Sequence, residues 1–141
     1  MTYYLGGILR AGIATGGGCL LVSVCGYFIS RKQKSKKKKV LMYVVYSLLL
    51  LYGITKASIY SYEYCHPDVA VARGTHISRY SDLFGMYEYT FDLKFEEHNV
   101  AYFCDAFSMR KIHKGGLDKG CEYMIYYETD TKIIVGIEEI S

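Results

Sequence analysis

The chain has 141 residues and a formal net charge of +3, with 17 Lys and Arg against 14 Asp and Glu. This length corresponds to about one domain. All 14 acids lie from Glu63 onward, where eight Lys and Arg give a net charge of −6. The acidic segment would repel phosphate, which argues against a nucleic-acid-binding protein. A charge split of this kind is typical of a chain divided between two compartments.

Two apolar runs precede the acidic segment. Residues 11–29 carry no charge, and residues 40–62 carry only Lys56, near the end of the run. About 20 apolar residues cross the ~30 Å hydrocarbon core, so the sequence predicts two membrane-spanning helices. Lys56 is expected to extend toward the interface. The cations follow the first run, the reverse of a signal peptide, so this run is interpreted as an uncleaved helix.

A strongly basic block, residues 31–39, separates the two runs. A block with so much charge is not stable in hydrocarbon, so it is predicted to be a loop, and basic loops stay in the cytoplasm. The chain is therefore expected to cross the cell membrane twice, with both termini outside the cytoplasm. The loop either only fixes this topology or also contacts anionic lipid headgroups. The topology-determining cations are Arg31, Lys32, Lys34, Lys36, Lys37, Lys38 and Lys39.

Small residues recur in the first helix. Gly12 and Gly16 form a G-x-x-x-G pattern, which allows close helix approach in lipid. Two interpretations remain open: self-association of two copies, or packing against the second helix of the same chain.

The segment 63–141 is predicted to be a separate extracytoplasmic β domain after a helical hairpin over residues 1–62. Past Pro67 the apolar pattern changes to a period of two, which indicates strands. The fold class expected is therefore α+β: a transmembrane hairpin followed by a small antiparallel sheet or partly open barrel. The predicted strands are 69–80, with a bulge at Gly74, then 87–95, 100–107, 122–127 and 132–140; turns are predicted at 81–85, 96–99 and 128–131, and a long polar connection at 108–120.

The second predicted strand has the clearest alternation. Strict alternation buries one face of a strand and exposes the other. The core face is predicted to consist of Tyr87, Tyr89, Phe91, Leu93 and Phe95, and the wet face of Glu88, Thr90, Asp92 and Lys94.

Two tyrosine-containing stretches, 87–91 and 120–127, give the segment a resemblance to a known family. The second stretch, Gly120-Cys121-Glu122-Tyr123-Met124-Ile125-Tyr126-Tyr127, is similar to the closing strand of the β domain in a widespread family of small bacterial membrane proteins of unknown function. The resemblance covers about half the chain and implies a non-enzymatic envelope protein. The chain departs from the family pattern because both helices precede the domain and no proline follows the tyrosines.

Three of the five cysteines lie in the outward segment, where disulfides can form. If the third and fourth strands pair, Cys104 and Cys121 face each other and could form a bridge. The alternative is that the outward thiols are free.

No constellation of residues predicts catalysis or a metal centre. Cys65, His66 and the scattered histidines lack the spacing of a zinc site, and the glycine-rich stretch 115–120 has turn rather than phosphate-loop chemistry. The sequence therefore predicts no enzyme, no metal and no cofactor.

The preferred interpretation is a membrane accessory or binding module with a protein partner in the envelope. Tyrosine is favoured at interfaces because it is large and amphipathic. The alternative is a membrane immunity protein that neutralises a secreted toxin. The predicted contact residues are Tyr87, Tyr89, Tyr102, Tyr126 and Tyr127.

Overall fold

The computed structural model describes residues 3–81 and 86–140. Two long apolar helices precede a five-stranded antiparallel sheet, as the sequence predicts. A third, short helix was not predicted. The predicted turn at 81–85 lies almost wholly outside the described residues. The elements are α1 (Gly6–Arg31), α2 (Lys36–Cys65), β1 (Val69–Ser81), β2 (Met86–Leu93), β3 (Val100–Asp105), α3 (Ala106–Ile112), β4 (Glu122–Glu128) and β5 (Ile134–Glu139).

The two long helices form a hairpin whose contact is made by small residues. A Cβ added to Gly12 would lie 2.8 Å from the Cβ of Tyr60, and one added to Gly16 would lie 2.8 Å from the Cβ of Ala57. Both glycines therefore allow close approach within one chain, the second of the two interpretations above. The helices have 26 and 30 residues and are long and apolar enough to cross a membrane.

The basic block is only partly a loop, which corrects the prediction. Arg31 ends α1, and Lys36 to Lys39 form the first turn of α2, so residues 32–35 alone lie outside the helices. Lysine has a high helix propensity, and a helix can continue past an apolar run when its charged turn is solvated. The cations still lie together at one end of the hairpin.

The sheet is nearly closed on itself. Its strand order is β3-β2-β1-β4-β5, with antiparallel pairing throughout. Phe103 of β3 forms a parallel bridge with Ile133, the residue that precedes β5. There the N–H of Phe103 donates to the carbonyl of Lys132 at 2.9 Å. The arrangement is a partly closed barrel, with a core that includes Tyr89, Phe91, Tyr102, Cys104, Met109, Tyr123, Ile125, Ile134 and Ile137.

The predicted core face of the second strand is confirmed as far as Leu93, whereas Glu88 and Thr90, predicted to face water, are half-buried. Tyr89 and Phe91 are buried, Leu93 packs against the core, and Asp92 is exposed. Phe95 was predicted to be in the core, but it is 98% exposed. The strand ends at Leu93, so the alternation no longer applies two residues later.

The bulge in β1 is also displaced from its predicted place. The register shifts between His76 and Ser78, whereas Gly74 pairs regularly with Leu93. A Cβ on Gly74 would lie 2.9 Å from the carbonyl oxygen of Asp92. Glycine is therefore required here by the close approach of the neighbouring strand.

Helix α3 occupies residues that were predicted to be the end of the third strand (100–107) and the start of the polar connection (108–120). The side chain of Asp105 caps it by accepting from the N–H of Ser108 at 3.3 Å. Arg110 and Lys111 occupy its last turn, where cations are favourable. A helix of seven residues is too short to show a clear period of 3.6 in its sequence.

The first turns of α1 belong to the β domain as much as to the hairpin. Ile8 is 0% exposed and packs with Ala11, Ile133 and Val135 in a second core cluster. The N–H of Tyr4 donates to the carbonyl of Val135 at 2.8 Å. These contacts fix the start of the first helix against β5.

An ion pair reinforces this junction. The guanidinium Nε of Arg10 lies 2.8 Å from Asp105 Oδ2, and its Cζ lies 4.6 Å from the centre of the Phe107 ring. Only the three residues 66–68 connect α2 to β1. The β domain is therefore fixed to the helices at both ends, which restricts any rotation relative to them.

Candidate functional site

A pocket of about 480 Å³ opens on the β domain, within the size range of small-ligand and side-chain sites. It lies between β1, β4 and the loop that joins β2 to β3. Its apolar lining includes Val71, Leu93 and Met124, together with the rings of Tyr102 and Tyr127. The two rings are tilted, with centroids 4.6 Å apart.

Cations surround this pocket although the domain as a whole is acidic. Arg73, Lys94 and Lys132 line it together with one acid, Glu96. Arg73 Nε lies 2.7 Å and Lys94 Nζ 3.2 Å from the same oxygen of Glu122. The bonds from these two cations lower the pKa of Glu122. The acid therefore stays charged and orients both cations.

Lys132 lies over the second ring of the pocket. Its Nζ lies 4.9 Å from the centre of Tyr127, a cation–π contact. Lys132 also has a positive φ of 59°, which is uncommon outside glycine and asparagine. Phe95, almost fully exposed, stands at the edge of the same pocket.

The five predicted contact tyrosines separate into two groups. Tyr89 and Tyr102 are 2% and 1% exposed, so these two predictions are wrong as surface contacts. Burial raises the pKa of Tyr89 to about 12, so its phenol stays protonated in the core. Tyr87, Tyr126 and Tyr127 are half-buried, and Tyr127 alone among the three lines the pocket.

The condition for a disulfide between Cys104 and Cys121 is not met. Strands β3 and β4 do not pair, because β2 and β1 lie between them in the sheet. Both thiols are free, Cys104 buried and Cys121 half-buried. Burial, with a smaller contribution from the nearby charge of Asp105, raises the pKa of Cys104. Its thiol is therefore protonated and unreactive at neutral pH.

A group of three carboxylates, which the sequence analysis did not identify, lies at the junction of α2 and the β4–β5 turn. Glu63 lies near the end of α2, Glu128 is the last residue of β4, and Asp130 belongs to the turn that follows. One carboxylate oxygen from each residue lies within 4.8 Å of the others. Glu63 is far from the other two acids in sequence, so the sequence could have indicated only that Glu128 and Asp130 lie close to each other.

Comparison with known proteins assigns no family to the chain. No family model matches it, and no curated protein and no solved structure matches it. The resemblance to small bacterial membrane proteins therefore stays a prediction that rests on the two tyrosine-containing stretches.

Proposed function

We propose that this chain is a two-span protein of the cell membrane whose β domain binds a protein partner outside the cytoplasm. The proposal assigns it an accessory or binding role and no catalytic one. The observation that carries it is the pocket beside β1 and β4, which is lined by an exposed aromatic ring, apolar side chains and cations held by an acid. The domain that bears this pocket is packed against the first of the two apolar helices.

The membrane topology of the proposal is supported by the charge distribution along the hairpin. The seven cations between Arg31 and Lys39 lie at the turn of the hairpin, and the β domain lies at its other end. At 1.5 Å per residue the helices extend about 39 and 45 Å, longer than the ~30 Å hydrocarbon core. The surplus length includes the turns of α1 that pack against β5.

Cysteine labelling of intact cells tests this topology. In a background without native cysteines, Lys119→Cys in the exposed stretch before β4 should react with an impermeant maleimide, and Ser35→Cys in the hairpin turn should not. Both residues are exposed in the structure, so a difference in labelling reports the side of the membrane. Labelling of Ser35→Cys from outside would show that the hairpin turn faces the cell exterior. The β domain and its proposed contact surface would then lie on the cytoplasmic side.

The nature of the partner follows from the chemistry of the pocket. Exposed Phe95 and Val71 (98% and 53%) supply the apolar contact that anchors most protein interfaces. Arg73, Lys94 and Lys132 outnumber the acids Glu96 and Glu122 around them. A partner segment with an apolar side chain flanked by carboxylates would complement this surface.

Site-specific photo-crosslinking tests the contact surface. A photoreactive residue at position 95 should yield a discrete crosslinked partner in membranes, and the same residue at position 80 should not. Tyr80 is a matched control because it is 66% exposed and is not part of the pocket. Loss of the position-95 product after Val71→Asp would confirm the pocket. Equal crosslinking from both positions would refute a defined contact surface. The identity of the partner would then separate an accessory role from toxin neutralisation.

A further inference from the structure

The seven cations between residues 31 and 39, here called the basic turn, have no acid of the same chain near them. No Asp or Glu precedes Glu63, which lies near the opposite end of α2. The rise of 1.5 Å per residue places Glu63 about 36 Å from Lys39 along the helix, and charges are screened beyond ~8 Å at physiological salt. Within residues 3–81 and 86–140, the ion pairs involve none of the seven cations. Their counter-charge therefore comes from outside the chain.

Four of these cations stand where the helix itself disfavours them. Lys36 to Lys39 form the first turn of α2, and the side chain of the N-cap residue Ser35 makes no capping hydrogen bond with the described part of the chain. The N-terminus of a helix carries a partial positive charge, so anions stabilise it and cations do not. Like charges three residues apart, such as those of Lys36 and Lys39, also repel each other. A negatively charged surface at this end of the hairpin would offset both effects.

Two stacked tyrosines indicate the depth of the basic turn in a bilayer. The ring centres of Tyr27 on α1 and Tyr43 on α2 are 5.5 Å apart, with an interplanar angle of 29°. Tyrosine is enriched at the membrane–water interface. Arg31 and Lys39 each lie four residues beyond these tyrosines, which is about 6 Å along the helix axis. Since the headgroup layer is about 5–7 Å thick on each side, the cations would lie at the depth of the lipid phosphates.

We propose that the basic turn binds the phosphate groups of anionic phospholipids in the cytoplasmic leaflet. The inference rests on the two-span topology of the proposed function and not on the partner of the β domain. Six of the seven cations are exposed and Lys39 is half-buried, so their ammonium and guanidinium groups can donate to phosphate oxygens. A lipid fits better than an acidic protein, because the stacked tyrosines place the cations within the headgroup layer.

Lipid binding at the basic turn would set the position of the hairpin along the membrane normal. The helices have 26 and 30 residues and extend beyond the ~30 Å hydrocarbon core, so apolar length alone does not fix their depth. Contacts with anionic headgroups would hold the cytoplasmic end of the hairpin. The β domain packs against the other end through Ile8 and Val135, so its height above the outer surface would depend on the same contacts.

Spin-labelled lipids in reconstituted bilayers test the inference. The full chain is reconstituted in phosphatidylcholine with a trace of spin-labelled phosphatidylglycerol or of spin-labelled phosphatidylcholine. Electron paramagnetic resonance then measures the motionally restricted share of each labelled lipid. We expect phosphatidylglycerol to associate about fivefold more strongly, the equivalent of the ~1 kcal/mol that one cation contributes near an anionic surface.

Salt and free phosphate distinguish a lipid surface from a site for a soluble anion. The preference for phosphatidylglycerol should fall to near one in ~1 M salt, where the screening length is ~3 Å. Replacing chloride by inorganic phosphate at equal ionic strength should leave the preference unchanged. A loss of preference in phosphate would indicate a site for free phosphate and would overturn the proposed lipid binding.

Two variants at the same four positions separate charge from structure. The glutamine variant removes four cations at once, by Lys36→Gln, Lys37→Gln, Lys38→Gln and Lys39→Gln. Its preference for phosphatidylglycerol should fall by roughly half or more, whereas replacing the same lysines by arginine should preserve it. Lysine, arginine and glutamine have similar helix propensities, so α2 should form in both variants. Lys114→Gln with Lys119→Gln removes exposed cations of the β domain and should leave the preference unchanged.

The outcomes separate a failure of this inference from a failure of the proposed function. Equal association of the two labelled lipids, or equal selectivity of the native chain and the glutamine variant, would overturn lipid binding by the basic turn while the two-span topology stands. If neither labelled lipid shows a restricted component, the helices do not contact the bilayer, and the topology and the inference are both wrong. Partner binding by the β domain is measured independently by crosslinking at position 95.

Discussion

Replacing Phe91 by alanine should unfold the β domain, whereas replacing its neighbour Asp92 should leave it intact. Phe91 is 0% exposed, and its ring centre lies 5.8 Å from that of Tyr102 and 5.4 Å from that of His76. Truncating a buried phenylalanine costs about 3–5 kcal/mol through lost burial and the cavity left behind. That is a large fraction of the 5–15 kcal/mol that stabilises a typical domain.

The measurement is a thermal melt of the full chain in detergent, followed by near-ultraviolet circular dichroism of the tyrosines. At about 4–8 °C of Tm per kcal/mol for a domain this small, Phe91→Ala should lower the Tm by tens of degrees. Asp92→Ala, on the exposed face of β2, should change stability by at most ~0.5 kcal/mol. Equal shifts for the two variants would show that the faces of β2 are not arranged as described.

Two further predictions concern the hairpin and the thiols. Gly16→Leu should destabilise the protein by about 1–3 kcal/mol in a detergent melt, since its Cβ would lie 2.8 Å from the Cβ of Ala57. Gly17→Leu should be tolerated because, apart from its chain neighbours and the backbone of its own helix, no atom of residues 3–81 and 86–140 lies within 4 Å of its Cβ position, and equal effects of the two substitutions would contradict the contact between the helices. Because burial raises the pKa of Cys104, a maleimide at pH 7.5 should label exposed Cys65 quickly and Cys104 only after denaturation, and rapid native labelling of Cys104 would contradict its burial.

The helices and strands that depend on local sequence patterns are the part of the fold that the sequence predicted. Long apolar runs gave both helices, and strict alternation gave the buried face of β2 through Phe91 and Leu93. The pattern could not show where the strand ends, so Phe95 was placed in the core although it is exposed. Strand ends depend on turns and on partner strands, and β2 ends at Leu93, so the alternation does not apply to Phe95.

Long-range arrangement was not available from the sequence. The sequence left open whether the third and fourth strands pair. In the structure they do not, because β1 lies at the centre of the sheet and pairs with both β2 and β4. The same limitation explains why the sequence did not predict that the carboxylates of Glu63 and Glu128 lie close together. They meet only because the end of α2 packs against the end of β4. Tyr102 illustrates a third limit, since a tyrosine suits both an interface and a core.

The hydrogen bond between Tyr4 and Val135 joins residues from opposite parts of the sequence, and the cluster of Ile8 with Ile133 does the same. Contacts between residues so far apart in sequence form late, because a long loop must close first. During synthesis, α1 leaves the ribosome long before β5 does. The barrel seam would then stay open, with unpaired strand edges exposed, until the last strand arrives. Chaperone dependence of this protein should therefore be greatest between the synthesis of the first strands and the completion of β5.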